Sequence, residues 1–239
     1  MFYCDFTLST PEENLAADEV LLDWCEEGNC GEILRIWEPS NYFVVVGYGN
    51  KVNTEVNRKF CDAEGIPILR RISGGGTVLQ GAGVFNYSLI LKIEEANPFR
   101  SIHSTNTYIL NENRTALANL LKAPVEVRGH TDLAVGGLKF NGNAQRRKKH
   151  FLIFHGAFLL HLDIEKVEST LLMPPTQPAY RFNRSHSDFL MNLKVPPAML
   201  KNTLRERWDA DTVQGELPRE RISRLAQEKY SREDWNKKF

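Results

Sequence analysis

The run Arg70-Arg71-Ile72-Ser73-Gly74-Gly75-Gly76-Thr77-Val78, followed by the alternating stretch Val84 to Lys92, decides how the rest of the chain is read. An apolar run, Ile66-Pro67-Ile68-Leu69, delivers the two arginines, and the glycine triplet follows. Glycine loses more backbone freedom on folding than any other residue, so three in a row need a reason. Close approach supplies one. Without Cβ atoms, backbone N–H groups can face anionic oxygens while an arginine adds planar, bidentate charge. Between two strands this reads as a cradle for a carboxylate or a phosphate. A solvated glycine hairpin is the plainer reading. The arginine pair, and the further glycines Gly81 and Gly83, weigh against it. Neither G-x-x-x-x-G-K-[ST] nor G-x-G-x-x-G occurs in the chain.

Working outward, Val84 to Leu91 has period two. Phe85, Tyr87, Leu89 and Leu91 share one face, and Val84, Asn86, Ser88 and Ile90 share the other. The second face is polar near the glycine loop and apolar beyond it, as expected of a strand running from a site into a core. Upstream, Thr10-Pro11-Glu12-Glu13 carries a capping threonine, proline at the first helical position and a glutamate three after the cap, so a helix is predicted from there to Gly28. Strands are expected at 32–38 and 42–46 and a helix from Thr54 to Ala63. Downstream, a long helix should cover Ser101 to Leu121. Val125 to Arg128 reads as a strand, and Asp132 to Phe140 as a hairpin turning at Gly136-Gly137. Asn141 to Gln145 reads as a further strand, and the basic run Arg146-Arg147-Lys148-Lys149 as the turn before an apolar strand from His150 to His161. From Asp163 the chain reads as mostly helical. The alternation implies an α+β fold with a mixed, largely antiparallel sheet packed with helices.

The length of 239 residues suits one large domain, and a formal net charge of zero gives no support to a nucleic-acid or membrane-surface role. The N-terminus lacks a basic region followed by a long apolar one, and no apolar run approaches a membrane span, so a cytoplasmic protein is expected. Cys4, Cys25, Cys30 and Cys61 match no zinc-ligand spacing and are read as reduced structural thiols.

Two motifs now stand in order. One is Arg70 to Val78 with Asn86-Tyr87-Ser88. The other is Asp132-Leu133-Ala134-Val135-Gly136-Gly137-Leu138-Lys139-Phe140-Asn141-Gly142-Asn143-Ala144-Gln145, then His155-Gly156. Together they resemble the lipoate–protein ligase A family, within the biotin/lipoate ligase and octanoyltransferase superfamily. The resemblance runs from the first helix through Trp37 and Gly47-Tyr48-Gly49-Asn50 to the chain's end. It implies one catalytic domain over 1–239, the helical segment from about 197 being part of it. It also implies ATP and Mg2+ as cofactors, lipoate or octanoate as substrate, and a lipoyl-domain protein whose lysine accepts the acyl group. No nucleic-acid or membrane partner is implied.

By that resemblance Lys139 is catalytic, its ammonium stabilising charge that develops on the acyl-adenylate. Arg70, Arg71, Ser73, Gly74, Gly75, Gly76, Thr77 and Val78 border the adenylate, with Asn86, Gly142, Asn143, Ala144, His155 and Gly156. Asp132 is the expected carboxylate for magnesium or a polar ligand group. The resemblance also leaves room for a separate accessory-domain chain, and for the basic run to guide an acidic acceptor. Where such ligases commonly carry a histidine after the glycines, this chain has Gln80-Gly81. Residues 180–189 take no role from the resemblance and read as a lid over the site or a capped loop at the start of a helix. The rival readings are an octanoyl or lipoyl transferase that needs a nucleophilic thiol, and a non-catalytic lipoate binder.

Overall fold

The computed structural model describes residues 1–96, 98–213 and 215–239. Its strands are β1 (Phe2–Asp5), β2 (Ile33–Trp37), β3 (Phe43–Val46), β4 (Ile68–Arg70), β5 (Val78–Gln80), β6 (Val84–Lys92), β7 (Glu126–Arg128), β8 (Asp132–Val135), β9 (Leu138–Arg147), β10 (Phe151–Leu159) and β11 (Thr212–Val213). The helices are α1 (Pro11–Glu26), α2 (Val52–Glu55), α3 (Arg58–Glu64), α4 (Ile102–Leu121), α5 (Ile164–Thr170), α6 (His186–Phe189), α7 (Pro197–Arg207), α8 (Arg219–Leu225) and α9 (Glu233–Asn236). An eight-stranded sheet runs β11-β1-β2-β6-β10-β9-β8-β7, and a three-stranded one runs β4-β3-β5. Among the described residues only the β11–β1, β1–β2 and β3–β4 strand pairs are parallel, so the α+β, largely antiparallel expectation holds.

Both faces of the large sheet are covered, which is why all five residues of β2 are buried. On one face Leu34, Phe85, Leu89 and Leu91 meet Ile109 and Leu117 of α4 and Leu200 and Leu204 of α7. On the other, Ile33, Ile90 and Ile153 meet Leu15, Leu21 and Leu22 of α1 and Ile222 of α8. The small sheet packs Val44, Val46 and Leu79 against Cys61 of α3 and Val167 and Leu171 beside α5. The helix α1 starts as read: the Thr10 side chain accepts from the Glu13 amide, and the Glu13 carboxylate accepts from the Thr10 amide.

Three boundaries differ. The single helix expected over 54–63 is two, because Val56 bridges to Leu171 and Asn57 starts α3 afresh by accepting from the Phe60 amide. The strand expected from Asn141 is continuous with the hairpin arm, and β9 carries on through Arg146 and Arg147. The basic run is therefore no simple turn. Arg147 donates to the Phe99 carbonyl, and Lys148 pairs with Asp23. No helix among the described residues is long and apolar enough to cross a membrane.

Candidate active site

Between the two sheets lies a cavity of about 170 Å³. Its floor crosses β9, β10, β6 and β2 of the large sheet, and Val45, Val78 and Gln80 of the small sheet wall it. Three interstrand steps make that floor about 14 Å long. Lys139 and Asp132 stand toward the β9 side, Trp37 stands on β2, and Leu15 and Asp18 reach in from α1. The cavity lining brings together Arg71, Gly75, Gly76, Thr77 and Val78 from the first motif with Asn86. From the second motif it brings Asp132, Lys139, Gly142, Asn143, Ala144, His155 and Gly156.

The glycine loop is held by its carbonyls. The Arg71 guanidinium donates to the Gly74 and Gly76 carbonyls and the Asn50 side-chain amide to that of Gly75. All three glycine C=O groups thus have protein donors, and all three glycines are solvent-exposed. Because a peptide unit is planar, its N–H points opposite its C=O, so the amides of these units point away from Arg71 and Asn50. Gly75 sits at φ +85, and a Cβ there would stand 3.0 Å from the Arg71 guanidinium. A side chain at Gly47 would meet the Gly75 carbonyl, so the Gly47-Tyr48-Gly49-Asn50 turn backs the loop. Beneath it, the Glu55 carboxylate accepts from Asn50 and Thr77. Burial brings the Arg71 guanidinium down to about 10 against a smaller upward pull from Glu55, which leaves it charged at neutral pH.

Arg70 has another place. Its guanidinium donates to the carbonyls of Gly47, Tyr48, Asn50, Trp235 and Asn236 and does not line the cavity. The expectation that both arginines border the ligand is corrected: along a strand, neighbours point to opposite faces. Ser73 is fully buried and Gly74 stands outside the lining. Ser73 accepts from Arg71 Nε at 3.0 Å, and its hydroxyl pairs with His155 Nε2 at 2.6 Å. His155 Nδ1 is 2.9 Å from Asp18 Oδ2. A carboxylate only accepts, so Nδ1 carries a proton toward Asp18; in the neutral ring the Ser73 hydroxyl then donates to Nε2.

Asp18 is the residue the sequence reading missed. It lies on the buried side of α1 and pairs with Arg35 at 2.6 Å, with Ser88 donating to its other oxygen at 2.9 Å. Burial alone would raise its carboxyl, but Arg35 first and then His155 hold it below the ordinary range. A carboxylate one turn after Asn14, within a helix face of Ala16, Ala17, Leu21 and Leu22, was the available signal. Gln80, where a histidine was expected, forms a reciprocal amide pair with Asn86 at 2.8 and 2.9 Å and presents a neutral wall.

A β-bulge aims Lys139. The β8–β9 register pairs Ala134 with Lys139 but Leu133 with Asn141, so Phe140 is the extra residue. In an unbroken strand, positions 139 and 142 would face opposite sides; the bulge brings them together. A Cβ on Gly142 would lie 2.9 Å from the Lys139 ammonium, so a side chain there would displace the amine. The ammonium pairs with Asp132 Oδ1 at 2.7 Å, while Tyr180 donates to Oδ2 at 2.8 Å. Both oxygens are occupied, and no cluster of three metal-ligating side chains exists among the described residues. The donor set does not fit a resident magnesium ion on Asp132.

Asn143 accepts from the Tyr87 hydroxyl at 2.6 Å and donates to the Thr131 carbonyl and Asn141 Oδ1. Behind Tyr87, Asn113 donates to its hydroxyl and accepts from the Trp208 indole. Among the described residues no cysteine lines the cavity: Cys4, Cys25 and Cys61 are buried elsewhere, and burial raises all four thiols.

Known proteins resemble this chain in sequence and in fold. The model of the lipoyl protein ligase A/B catalytic domain matches residues 10–206. Lipoate–protein ligase 1 of Staphylococcus aureus is 29% identical over 176 residues, 74% of this chain and 51% of that protein. The chain thus spans about half the length of that relative. Octanoyltransferase LipM of Lysinibacillus sphaericus is 28% identical over 266 residues, 95% of each. Among solved structures, a bipartite lipoate protein ligase of Thermoplasma acidophilum, described with its E2 lipoyl domain, superposes with TM-score 0.79 at 24% identity, covering 99% of this chain and 96% of that one. A lipoate-protein ligase A bound with ATP gives 0.80 at 24% identity over 99% of both chains. At these identities the structural likeness establishes the fold.

Proposed function

This chain belongs to the lipoyl protein ligase A/B catalytic-domain family, and we propose that it is an ATP-dependent lipoate–protein ligase. The observation that carries the reading is the shared cavity. One cationic amine, Lys139, and one loop whose glycine carbonyls are all turned inward border the same space. A carboxylate oxygen of lipoate or octanoate attacks the α-phosphorus of ATP, and pyrophosphate leaves. The lysine amine of an acceptor then attacks the acyl carbon, and AMP leaves with the bonding pair. The loop amides and the Lys139 ammonium offer fixed donors to charge growing on the phosphate and the carbonyl oxygen. The acyl chain has the apolar walls Leu15, Trp37, Val45, Val78 and Ala157 to lie along. Magnesium enters with the nucleotide phosphates as part of that substrate, as is usual for this ion.

Residues 1–239 act as one catalytic unit, since α7 packs on α4 and α8 on α1 in the same core as the sheet. The acceptor is a lipoyl domain. An accessory chain for adenylation is also proposed, because a Thermoplasma relative is named subunit 1 and its structure is titled bipartite.

The similarity to LipM favours a second reading, an octanoyl transfer through a cysteine thioester. That route needs an accessible thiolate in the cavity, and the described lining has no cysteine. Mass spectrometry of a lipoyl domain incubated with lipoate, with and without ATP, separates the two. Acylation only with ATP, and lost in Lys139→Ala, is expected. Acylation from an acyl carrier protein without ATP would replace this reading with the transferase, and tight lipoate binding without turnover would make the chain a binder.

A further inference from the structure

The polar segment 180–189 has no part in the chemistry so far, yet it grips the β8–β9 hairpin at several points. Tyr180 donates to Asp132 Oδ2 at 2.8 Å, and Arg184 donates to the Gly137 carbonyl at the hairpin turn at 3.0 Å. Just beyond it, the Met191 amide donates to the Lys139 carbonyl at 2.9 Å, and Leu190 forms a bridge with Lys139. Gly129 makes room for this approach: a Cβ there would meet Pro178 at 3.0 Å.

We propose that Tyr180 is a positioning residue that governs, through Asp132, where the Lys139 ammonium stands at the cavity. This rests on the ligase reading for what Lys139 does, but not for where it stands. Asp132 is buried and has two oxygens, one on Lys139 and one under the Tyr180 hydroxyl. The last torsion of an aspartate is soft and two-fold, so a donor on one oxygen is what fixes the carboxylate plane. Without the hydroxyl, Oδ2 is a bare acceptor in a buried place, and the Lys139 ammonium already sits on Oδ1 of the same carboxylate. The carboxylate would turn to hold it with both oxygens, keeping it from an incoming anion. Tyr180 therefore limits Asp132 to one contact and leaves the ammonium transferable.

The hydroxyl suits this task. Burial first, then the Asp132 charge, raise its pKa, so it remains a donor. The rest of the segment stands without it. The Tyr180 ring packs on Phe189 at 5.1 Å, Arg181 lies 4.9 Å over the same ring, and Ser185 caps α6 by accepting from the Asp188 amide. Tyr180→Phe thus removes one hydrogen bond and little packing.

The test uses the intact chain. Competitive acetylation of Lys139 against the exposed Lys149, read by peptide mass spectrometry, needs no substrate. Tyr180→Phe should slow labelling of Lys139 at least threefold; equal or faster labelling overturns the inference. In lipoate-dependent pyrophosphate exchange, the same variant should lose roughly ten- to a hundred-and-fiftyfold in kcat, the scale of a hydrogen bond to a charged group, with KM for lipoate within threefold. In a Lys139→Ala background it should cost nothing more. A loss of the same size there would make Tyr180 act independently of Lys139. Phe189→Leu loosens the same segment without touching the hydroxyl, and a kcat loss matching that of Tyr180→Phe would reduce Tyr180 to packing. Absence of exchange in the wild-type protein would count against the ligase reading alone, since the labelling result still decides the inference.

Discussion

Gly156→Ala is the most demanding test of how the cavity floor is built. A Cβ at position 156 would lie 1.9 Å from Asn143 Oδ1, 2.8 Å from its Cγ and 2.9 Å from the Gly142 carbonyl. None of these is the loose end of a flexible chain, because Asn143 is tied to Tyr87, Thr131 and Asn141. The variant must swing Asn143 out and abandon those bonds. Overpacking of this kind costs about 1–3 kcal/mol, and each lost bond about 0.5–1.5 kcal/mol more. With three bonds lost, the terms give a destabilisation of about 2.5–7.5 kcal/mol. Urea unfolding would read it as a lower midpoint at unchanged slope. The decisive arm is the double variant Gly156→Ala with Asn143→Ala. Since the clash and the bonds involve the same side chain, removing it should relieve the clash, so the two costs should fall short of adding by at least about 1 kcal/mol. Strict additivity, or a single variant within about 1 kcal/mol of wild type, would refute the reasoning.

Other outcomes follow from the same geometry. Lys139→Ala should reduce acyl transfer by roughly a hundred- to a thousandfold, the range seen when one transition-state donor is lost, and single-turnover transfer kinetics would check it. Arg70→Lys exchanges a five-donor fork for three donors and should cost about 2–3 kcal/mol of stability in thermal melts; an unchanged melting temperature would mean the carbonyl hub is unimportant. Replacing all four cysteines by alanine should leave ATP-dependent transfer intact in the mass-spectrometric assay, whereas its loss would revive the thioester route. Asp18→Asn strands a buried Arg35 and should cost about 3 kcal/mol at pH 7. The Asp18 carboxyl is held below its ordinary range, so its contribution is present above about pH 3.9 and is lost as pH falls through the lower folded value. Urea midpoints of wild type and variant should therefore converge in acid, and a constant gap from pH 7 to pH 3 would contradict the assignment.

The sequence by itself determined the local conformations: the capped start of α1, the alternating faces of β6, the Gly136-Gly137 turn, and a glycine loop that demands close approach. Those depend on torsional preference, capping and period two, which act over a few residues. Only the tertiary structure separated Arg70, spent on five carbonyls, from Arg71, which holds the loop. It also decided that Lys139 faces the cavity, because the bulge at Phe140 arises from pairing between strands and leaves no mark in the residue pattern. Asp18 and Tyr180 reach the site from positions 114 residues before and 48 residues after Asp132, respectively. The physical reason is that a polar side chain's role is fixed by the partner it meets, and here register across distant strands chooses that partner.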